Sequence, residues 1–254
     1  MGIKYSRENI AEKAKLVHRE LKQNIDKKYK STEARLFPEG RNCYGVRIPA
    51  VRKIAKKVFR EIKLSSKNDI FAVCEELLSS KLHEPLVVSF QLAYELRKKY
   101  TKDDFKIFES WLKKYVKNWS SCDDFCCNTL GEILFQYPEL FRKTFLWTKS
   151  SNRWLRRASA VSLIYSVRRK KNLKQIFKTA NALLKDNDDM VQKGYGWMLK
   201  EASNHYQKEV FCYVMKQKEE MPRTALRYAI EKLPSKLRQK VLKRVNHTAA
   251  KSGI

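Results

Sequence analysis

The sequence lacks any apolar stretch long enough to cross a membrane, and it is poor in residues that interrupt helices. No run of about 18 apolar residues occurs, which argues against a transmembrane helix. Residues 1–8 contain no apolar segment of the kind found in signal peptides, so we expect a cytoplasmic protein. There are seven glycines and six prolines in 254 residues. Because lysine, leucine, glutamate and alanine abound and alternating strand patterns are few, the sequence predicts an all-α fold.

The spacings typical of a metal site or of a thiol nucleophile are also missing. The six cysteines form no C-x-x-C pair, and no histidine lies near the cluster of Cys122, Cys126 and Cys127. The four histidines form no H-x-x-x-H pair. The sequence therefore predicts neither a zinc site nor a Cys/His catalytic pair. Unpaired thiols of this kind are typical of a reducing cytoplasm.

Acidic residues are scarce relative to basic ones. The chain has 27 acidic and 55 basic residues, which gives a net charge of +28. An excess of this size favours a polyanionic partner, namely DNA, RNA or an anionic membrane surface. A lysine-rich composition without any such partner is the alternative, but the arginines here cluster as well. The basic stretch 167–174 is predicted to lie in a hairpin loop and to contact phosphates.

Helical segments recur along the chain as pairs. The first helix is predicted over 7–29, where apolar residues recur at helical spacing: Ile10, Ala14, Val17, Leu21 and Ile25. A connection rich in helix breakers follows, with Pro38, Gly40, Asn42 and Gly45. Later pairs are predicted at 85–100 with 103–116, 121–134 with 138–147, 154–167 with 173–185, 190–205 with 207–218, and 223–232 with 235–245.

The interval between the pairs indicates the type of repeat. Comparable positions in the first helix of each pair are 34 to 36 residues apart: Val87, Cys122, Arg157, Lys193 and Arg227. Helical hairpins with this period are typical of α-solenoids, and the absence of the TPR pattern favours the HEAT type. We therefore predict an all-α, right-handed α-solenoid of HEAT-like helical-hairpin repeats with a concave basic groove. We expect a single domain over 1–254, with N-terminal helices in 1–60, repeats over about 67–245 and a short flexible C-terminal tail.

One central stretch, 116–123, combines a large aromatic side chain with a carboxylate. If a helix starts near Ser120, Trp119 lies at its edge and Asp123 falls in its first turn. An aromatic ring and a lone carboxylate that face a nucleic acid suggest chemistry rather than simple binding. The alternative is a capping box from Ser120 to Asp123, in which the carboxylate only caps the helix.

Basic residues surround another predicted helix start. Pro49 suits the first turn of a helix, with Arg47 at its beginning and Arg52 one turn later. A helix start with nearby cations can bind a phosphate, although an ordinary solvated helix face would have the same pattern. The opening turns of the repeats' first helices hold further candidates for the same groove: Asp123, Arg157, Lys193 and Trp197.

Several separated motifs together resemble the DNA alkylation repair glycosylases of the AlkD type. The resemblance extends from about Tyr44 to Arg238. Its motifs are Gly45-Val46-Arg47-Ile48-Pro49 with Arg52, His83-Glu84, Asn118-Trp119 with Asp123, Trp154-Leu155-Arg156-Arg157-Ala158, Lys193-Gly194-Tyr195-Gly196-Trp197-Met198-Leu199-Lys200, and the segment 223–232. Each motif is short, but their order and spacing coincide with those of the family.

The resemblance implies a fold, an activity and a set of site residues. It implies a HEAT-like solenoid that cradles duplex DNA and excises cationic alkylated purines, typically N3-methyladenine and N7-methylguanine, without metal or cofactor. Asp123 would be the catalytic carboxylate, Trp119 and Trp197 would flank the deoxyribose, and Arg157 would match the active-site arginine. The expected DNA-binding residues are Arg47, Arg52, Lys193 and Lys200. The expected partner is duplex DNA containing alkylated bases, bound by a monomer that is nucleoid-associated if the source is prokaryotic.

The sequence departs from the family pattern at a few positions. Ser120 follows the motif tryptophan where the family often has aspartate, and Lys200 stands where arginine is common, which loses the forked geometry. The family's N-terminal aromatic residue near the lesion could be Phe37 or Tyr44. His83-Glu84 is predicted to tie a loop to a helix.

Other interpretations compete with the glycosylase. The protein could be a non-catalytic HEAT-like DNA-binding protein, or a helical-repeat adaptor for protein or RNA. Trp119 and Trp197 taken alone would be core residues, and the other three tryptophans are assigned to the core: Trp111, Trp147 and Trp154.

Overall fold

The computed structural model describes residues 6–37 and 40–243, and in this part of the chain the regular structure is helical, without strands. The prediction of an all-α fold is confirmed. The chain divides into two compact units, Met1–Glu139 and Leu140–Ile254. The expected C-terminal tail and Pro38 lie outside the described residues. The single domain over 1–254 stays a prediction.

The described part of the first unit is a succession of α-helices joined by short connections. In chain order these are α1 (Arg7–Gln23), α2 (Lys27–Leu36), α3 (Ile48–Ile62), α4 (Lys67–Ser79), α5 (His83–Glu95), α6 (Asp104–Tyr115), α7 (Trp119–Phe125) and α8 (Gly131–Gln136). A 3₁₀ turn at Arg97–Lys99 follows α5, and a π-helical turn at Cys126–Leu130 joins α7 to α8. A second 3₁₀ turn, Pro138–Leu140, spans the end of the unit.

The second unit continues the same pattern in its described residues. Its helices are α9 (Phe141–Leu146), α10 (Arg153–Val161), α11 (Ile164–Val167), α12 (Leu173–Ala182), α13 (Asp189–Ser203), α14 (Gln207–Gln217), α15 (Arg223–Ala229) and α16 (Ser235–Leu242). A 3₁₀ turn at Trp147–Lys149 follows α9. The predicted helical pairs after residue 85 are therefore present, although several of the predicted segments consist of two shorter helical pieces.

Within each unit the helices stack in rows. In the first unit α3 packs against α5, and α5 packs against α7. The helices α1 and α4 pack together, α1 against α3 and α4 against α5. In the second unit α10, α13 and α15 form the corresponding row, while α12 and α14 pack against α13, and α16 packs against α14. Contact of each hairpin with its neighbours in sequence is what an α-solenoid requires.

The helix starts define a register that recurs in both units. The fifth residue of each helix in these rows is, in order, Arg52, Val87, Asp123, Arg157, Lys193 and Arg227. Successive members are 34 to 36 residues apart, as predicted. The structure places Asp123 at this position, whereas the sequence alignment of the repeats placed Cys122 there. The difference arises because α7 begins at Trp119, one residue later than the repeat spacing suggests.

The predicted first helix over 7–29 is wrong at its C-terminal end. The backbone N–H of Asn24 bonds to the Leu21 carbonyl and closes α1, and Asp26 then caps α2 by accepting from the Tyr29 N–H at 2.8 Å. Capping by an aspartate is a stronger local signal than one further apolar residue. Ile25 consequently lies outside the helix and is 42% exposed, whereas Ala14 and Val17 are buried as expected.

A close contact between two helices requires glycine at one position. The backbones of α13 and α15 approach closely at Gly196, where an added Cβ would lie 2.8 Å from the Ala225 carbonyl oxygen and 2.8 Å from the Tyr228 Cβ. Glycine is required at such an approach because it has no side chain.

Among the helices in residues 6–37 and 40–243, none is both long and apolar enough to span a membrane.

Candidate active site

The start of α7 is fixed by Asn118 rather than by the predicted capping box. Asn118 has extended backbone angles, and its Oδ1 accepts from the Ser121 backbone N–H at 2.9 Å. An asparagine at this position satisfies one of the unpaired N–H groups of the first turn. The helix therefore begins at Trp119, so the interpretation of Ser120 as the N-cap residue of a Ser120–Asp123 capping box is wrong. Asp123 lies in the second turn rather than in the first.

Trp119 and Asp123 lie on one face of α7. They are four residues apart, and side chains at this spacing are neighbours on a helix surface. Trp119 is 37% exposed, and Asp123 is half-buried. The structure therefore supports the predicted corner in which an accessible indole and a carboxylate lie side by side.

The aromatic residue from the N-terminal helices that packs here is Phe37. Its ring stacks on the Trp119 ring with centroids 5.4 Å apart and an interplanar angle of 10°. The Arg41 guanidinium lies 3.8 Å above the centroid of the Phe37 ring and forms an ion pair with Glu33. Tyr44, the other candidate, points its hydroxyl at His18 Nδ1 at 2.9 Å. The Arg41 guanidinium, the Phe37 ring and the Trp119 indole therefore form a stack, in which the indole is partly exposed.

Arg52 lies beside the same turn of α7 but contacts the residue after Asp123. Its guanidinium donates to Asp124 Oδ1 at 2.7 Å and to Gln91 Oε1 at 3.2 Å. Burial raises the pKa of Asp124, Arg52 opposes this through its charge and hydrogen bond, and the neighbouring charge of Asp123 raises the pKa again. The result is a pKa above the usual range of an aspartate. Arg52 thus partly offsets the rise in the pKa of Asp124.

Arg47 is the N-cap residue of α3, as predicted, and Pro49 lies in the first turn. The Arg47 side chain is 59% exposed and donates from Nε to Asp26 Oδ2 at 2.7 Å. Its guanidinium also lies 5.2 Å from the centroid of the Tyr29 ring. The pair with Asp26 is exposed and can exchange for a phosphate at little cost.

The loop before α3 is held by α5. Glu84 is 1% exposed, and its carboxylate accepts from the backbone N–H groups of Tyr44 at 2.9 Å, Gly45 at 2.7 Å and Val46 at 2.9 Å. The predicted role of His83-Glu84 in tying a loop to a helix is confirmed. His83 is buried beside Arg41, and burial together with that charge lowers its pKa from 6.5 to about 3.

In the second unit, four polar or aromatic residues lie along one stripe of α13. Asp189, Lys193, Trp197 and Glu201 follow at intervals of four residues. Lys193 Nζ donates to Asp189 Oδ2 at 2.9 Å, and Trp197 Nε1 donates to Glu201 Oε1 at 3.0 Å. Two predicted site residues, Lys193 and Trp197, therefore share a helix face, and each is held by a carboxylate one turn away.

Glu201 also contacts the basic loop between α11 and α12. Arg168, the first residue of that loop, donates from Nε to Glu201 Oε2 at 2.9 Å. Burial alone would raise the pKa of Glu201, but hydrogen bonds from Arg168 and Trp197 and the charges of Arg168 and Lys200 outweigh it. The pKa therefore lies below its usual range. The predicted loop is present but spans only 168–172, since Val167 ends α11 and Leu173 begins α12, and residues 168–171 are exposed.

Arg157 is buried against the start of α13. It is 5% exposed, and its guanidinium donates to the backbone carbonyl oxygen of Met190. A Cβ on Gly194 would lie 3.0 Å from Arg157 Cγ, so this glycine makes room for the arginine. Further along α13, Lys200 Nζ donates to Glu231 Oε1 at 2.7 Å.

The remaining tryptophans differ in burial. Trp111 is fully buried and donates from Nε1 to Glu75, and Trp147 is 5% exposed, as predicted for core residues. Trp154 is only partly buried and lies beneath the Arg153 guanidinium, 5.3 Å from its ring centroid, so its assignment to the core was too simple.

Two carboxylates that contact predicted site residues, one in each unit, were not predicted from the sequence. Asp124 was overlooked beside Asp123, and its partner Arg52 is 72 positions away, so no local pattern reveals the pair. Glu201 could have been found, because it follows Trp197 at the i,i+4 spacing of a helix.

Stacked helical hairpins with a strong basic excess and an accessible Trp–Asp pair define a helical-repeat protein suited to nucleic acid. The chain belongs to the DNA alkylation repair enzyme family, whose sequence profile matches residues 17–233. It is therefore an enzyme of DNA alkylation repair, with DNA as its partner. No functionally curated protein matches the sequence at a significant level.

A solved structure supports the fold. The chain is similar to one described as a predicted DNA alkylation repair enzyme from Enterococcus faecalis, with a TM-score of 0.72 and 16% sequence identity. The match covers 84% of this chain and 98% of the other. The TM-score establishes a shared fold, and at this low identity the likeness extends to the fold alone.

Proposed function

We propose that the protein is a monofunctional DNA glycosylase that hydrolyses the N-glycosidic bond of cationic alkylated purines in duplex DNA. The substrates are N3-methyladenine and N7-methylguanine, and the reaction uses neither metal nor cofactor. The observation that supports this proposal best is the placement of Asp123 one helical turn after the accessible indole of Trp119. Binding of phosphates alone requires neither group.

The chemistry explains why one carboxylate suffices. Alkylation at N3 or N7 places a positive charge on the base, so the base leaves as a neutral molecule and needs no general acid. Asp123 stabilises the oxocarbenium-like sugar as the C1′–N bond breaks, and it orients or deprotonates the water that adds to C1′. Sugar glycosidases, which cleave a C–O glycosidic bond, use two carboxylates because their leaving groups are not activated. The products are the free base and an abasic site.

The other candidate residues hold the substrate. Trp119 and Trp197 place the negative faces of their rings against the cationic nucleotide, a contact worth roughly 0.5–2 kcal/mol each. Arg157 is assigned to a backbone phosphate near the sugar, a role that requires its guanidinium, now buried against the Met190 carbonyl, to become accessible when DNA binds. For the two residues of the second unit, these roles rest on the family resemblance. The DNA backbone is bound by Arg47, Arg52, Lys193 and Lys200.

The decisive experiment is base release from methylated duplex DNA by the wild type and by Asp123→Asn. We expect free 3-methyladenine or 7-methylguanine from the wild type and a rate at least about tenfold lower for the variant, which is about 1.4 kcal/mol of barrier. DNA affinity should persist in the variant. Asp103→Asn is the matched control, since Asp103 is an exposed aspartate paired with Lys106.

The other outcomes separate the alternatives. If neither protein releases a base while DNA binding stays salt-sensitive, the non-catalytic DNA-binding interpretation replaces the glycosylase. We also expect no strand cleavage without heat or alkali, because the proposed hydrolysis adds water to C1′ and forms no Schiff base. A nick that forms together with base release would contradict the monofunctional mechanism.

A further inference from the structure

Trp197 is the predicted aromatic site residue of α13, and the polar atom of its indole has a defined partner. The indole Nε1–H donates to Glu201 Oε1 at 3.0 Å, one turn along the same helix. The second oxygen of that carboxylate accepts from Arg168 Nε at 2.9 Å. One carboxylate therefore holds both an aromatic side chain and a cation of the basic loop.

The surroundings make this contact specific. The Glu201 side chain is 15% exposed, whereas the Arg168 side chain is 47% exposed. The partly buried carboxylate thus lies against its own helix beside Trp197, and the more exposed Arg168 contacts it from the solvent side. Arg168 begins a run of four exposed cations, residues 168–171, which is a suitable surface for a DNA phosphate.

We propose that Glu201 is a positioning residue, which fixes the plane of the Trp197 indole through its hydrogen bond and links that plane to the basic loop through Arg168. The inference rests on the proposed function in assigning Trp197 to the lesion nucleotide. The two hydrogen bonds that connect Trp197, Glu201 and Arg168 form what we call the relay. The relay rests only on contacts within the second unit.

The relay has a consequence for DNA binding. A phosphate that contacts Arg168 competes with Glu201 for the guanidinium, so occupation of the loop changes the partners of the carboxylate that holds the indole. Backbone binding at the loop is in this way coupled to the orientation of Trp197. Glu201 touches neither the base nor the sugar and acts through the indole alone.

The first test observes the indole directly. The five tryptophan side chains give five Nε1–H signals in a ¹H–¹⁵N spectrum, and Trp197→Phe identifies that of Trp197. We expect this signal to shift and to exchange faster with water in Glu201→Met, which has no acceptor, and less so in Glu201→Gln, which keeps one. Arg168→Met should also shift it, although Arg168 does not bond to the indole. Glu220→Met is the matched control, since Glu220 pairs with Lys185 at the surface.

The second test separates positioning from a structural role. Glu201→Met should reduce the single-turnover rate of base release roughly tenfold while the affinity for undamaged duplex is not weakened, because orientation limits the reacting complex rather than binding. Trp197→Phe removes the donor and keeps a ring, so the losses from Trp197→Phe and Glu201→Met should not multiply in the double variant.

Two results would overturn the proposal. The first is an unchanged Trp197 signal in Glu201→Met, and the second is full multiplication of the two rate losses. If neither the wild type nor any variant releases a base, the proposed function fails. The Trp197 Nε1–H signal then still decides whether the relay exists. If the wild type releases the base but the Trp197 signal is unchanged in Glu201→Met, only the relay is refuted and the proposed function stands.

Discussion

The Phe37 and Trp119 rings are stacked almost in parallel, with centroids 5.4 Å apart and an angle of 10°. Phe37 is 8% exposed and Trp119 is 37% exposed, so the phenyl ring forms the buried backing of an accessible indole. The two residues are far apart in sequence, and their contact joins the C-terminal end of α2 to the first residue of α7. The position of the indole therefore depends on α2.

The first prediction concerns this stack. Phe37→Leu keeps an apolar side chain but removes the ring, and aromatic pairs contribute about 0.5–1.5 kcal/mol beyond their burial. We expect base release in single-turnover assays to slow by about two- to tenfold, since that energy corresponds to this range of rates. Phe141→Leu is the control, because it breaks the pair of Phe141 with Phe145 in the second unit. Equal rates for both variants would contradict a role for the stack.

The second prediction concerns the salt dependence of DNA binding. Each phosphate contact that is lost should reduce the slope of log K against log salt by about 0.9. We expect Arg47→Gln and Lys193→Gln each to weaken binding of any duplex sequence and to reduce the slope by about this amount. Lys106→Gln, an exposed lysine paired with Asp103, should leave the slope as it is. Fluorescence anisotropy over a range of salt concentrations measures all three, and an unchanged slope for Lys193→Gln would remove that residue from the interface.

The third prediction concerns pH and His83. Burial and the charge of Arg41 lower the pKa of His83 from 6.5 to about 3, so the folded protein binds fewer protons than the unfolded chain between these values. Its contribution to stability is therefore complete above pH 6.5 and is lost as the pH falls towards 3. Between pH 7 and pH 5 the free energy of unfolding should fall by about 2 kcal/mol more in the wild type than in His83→Asn. Urea unfolding at both pH values measures the difference, and parallel losses in the two proteins would refute it.

The fourth prediction concerns the approach of α13 to α15. A Cβ at Gly196 would lie 2.8 Å from the Ala225 carbonyl oxygen, which cannot move without the helix. At Gly194 the nearest atom is Arg157 Cγ at 3.0 Å, a side-chain atom that needs to move by only a few tenths of an ångström. Because both substitutions gain the same helix propensity, Gly196→Ala should be less stable than Gly194→Ala by about 1–3 kcal/mol. Thermal unfolding of the pair decides this, and equal stability would mean that the two helices separate easily.

The helices were predictable where local signals agree. The proline in the first turn of α3 and the spacing of the repeats indicated helix starts that the structure confirms, because capping and periodicity act within a few residues. The gap between α1 and α2 was missed because the apolar period continues through Ile25 while Asp26 begins a new helix. The apolar period predicts that the helix continues, whereas the aspartate predicts that a new helix starts. The sequence alone does not show which of the two signals prevails, because tertiary packing decides between them.

The site was predictable in its types of residue and much less in its contacts. The spacing of Trp119 and Asp123 placed them together correctly. The choice between Phe37 and Tyr44 required a contact between distant segments, and so did the pairing of Arg52 with Asp124. Such contacts follow from the way helices stack, and a single sequence does not contain that information in local form.

The anchoring of the loop before α3 by Glu84 also affects the order in which the protein can assemble. The three backbone N–H groups that Glu84 binds precede it by 38 to 40 residues. A ribosome makes the loop first, so its amides stay hydrated until α5 has been synthesised and has folded back onto α3. The start of α3, with Arg47 at its cap, is consequently completed late, after a helix that comes later in the chain.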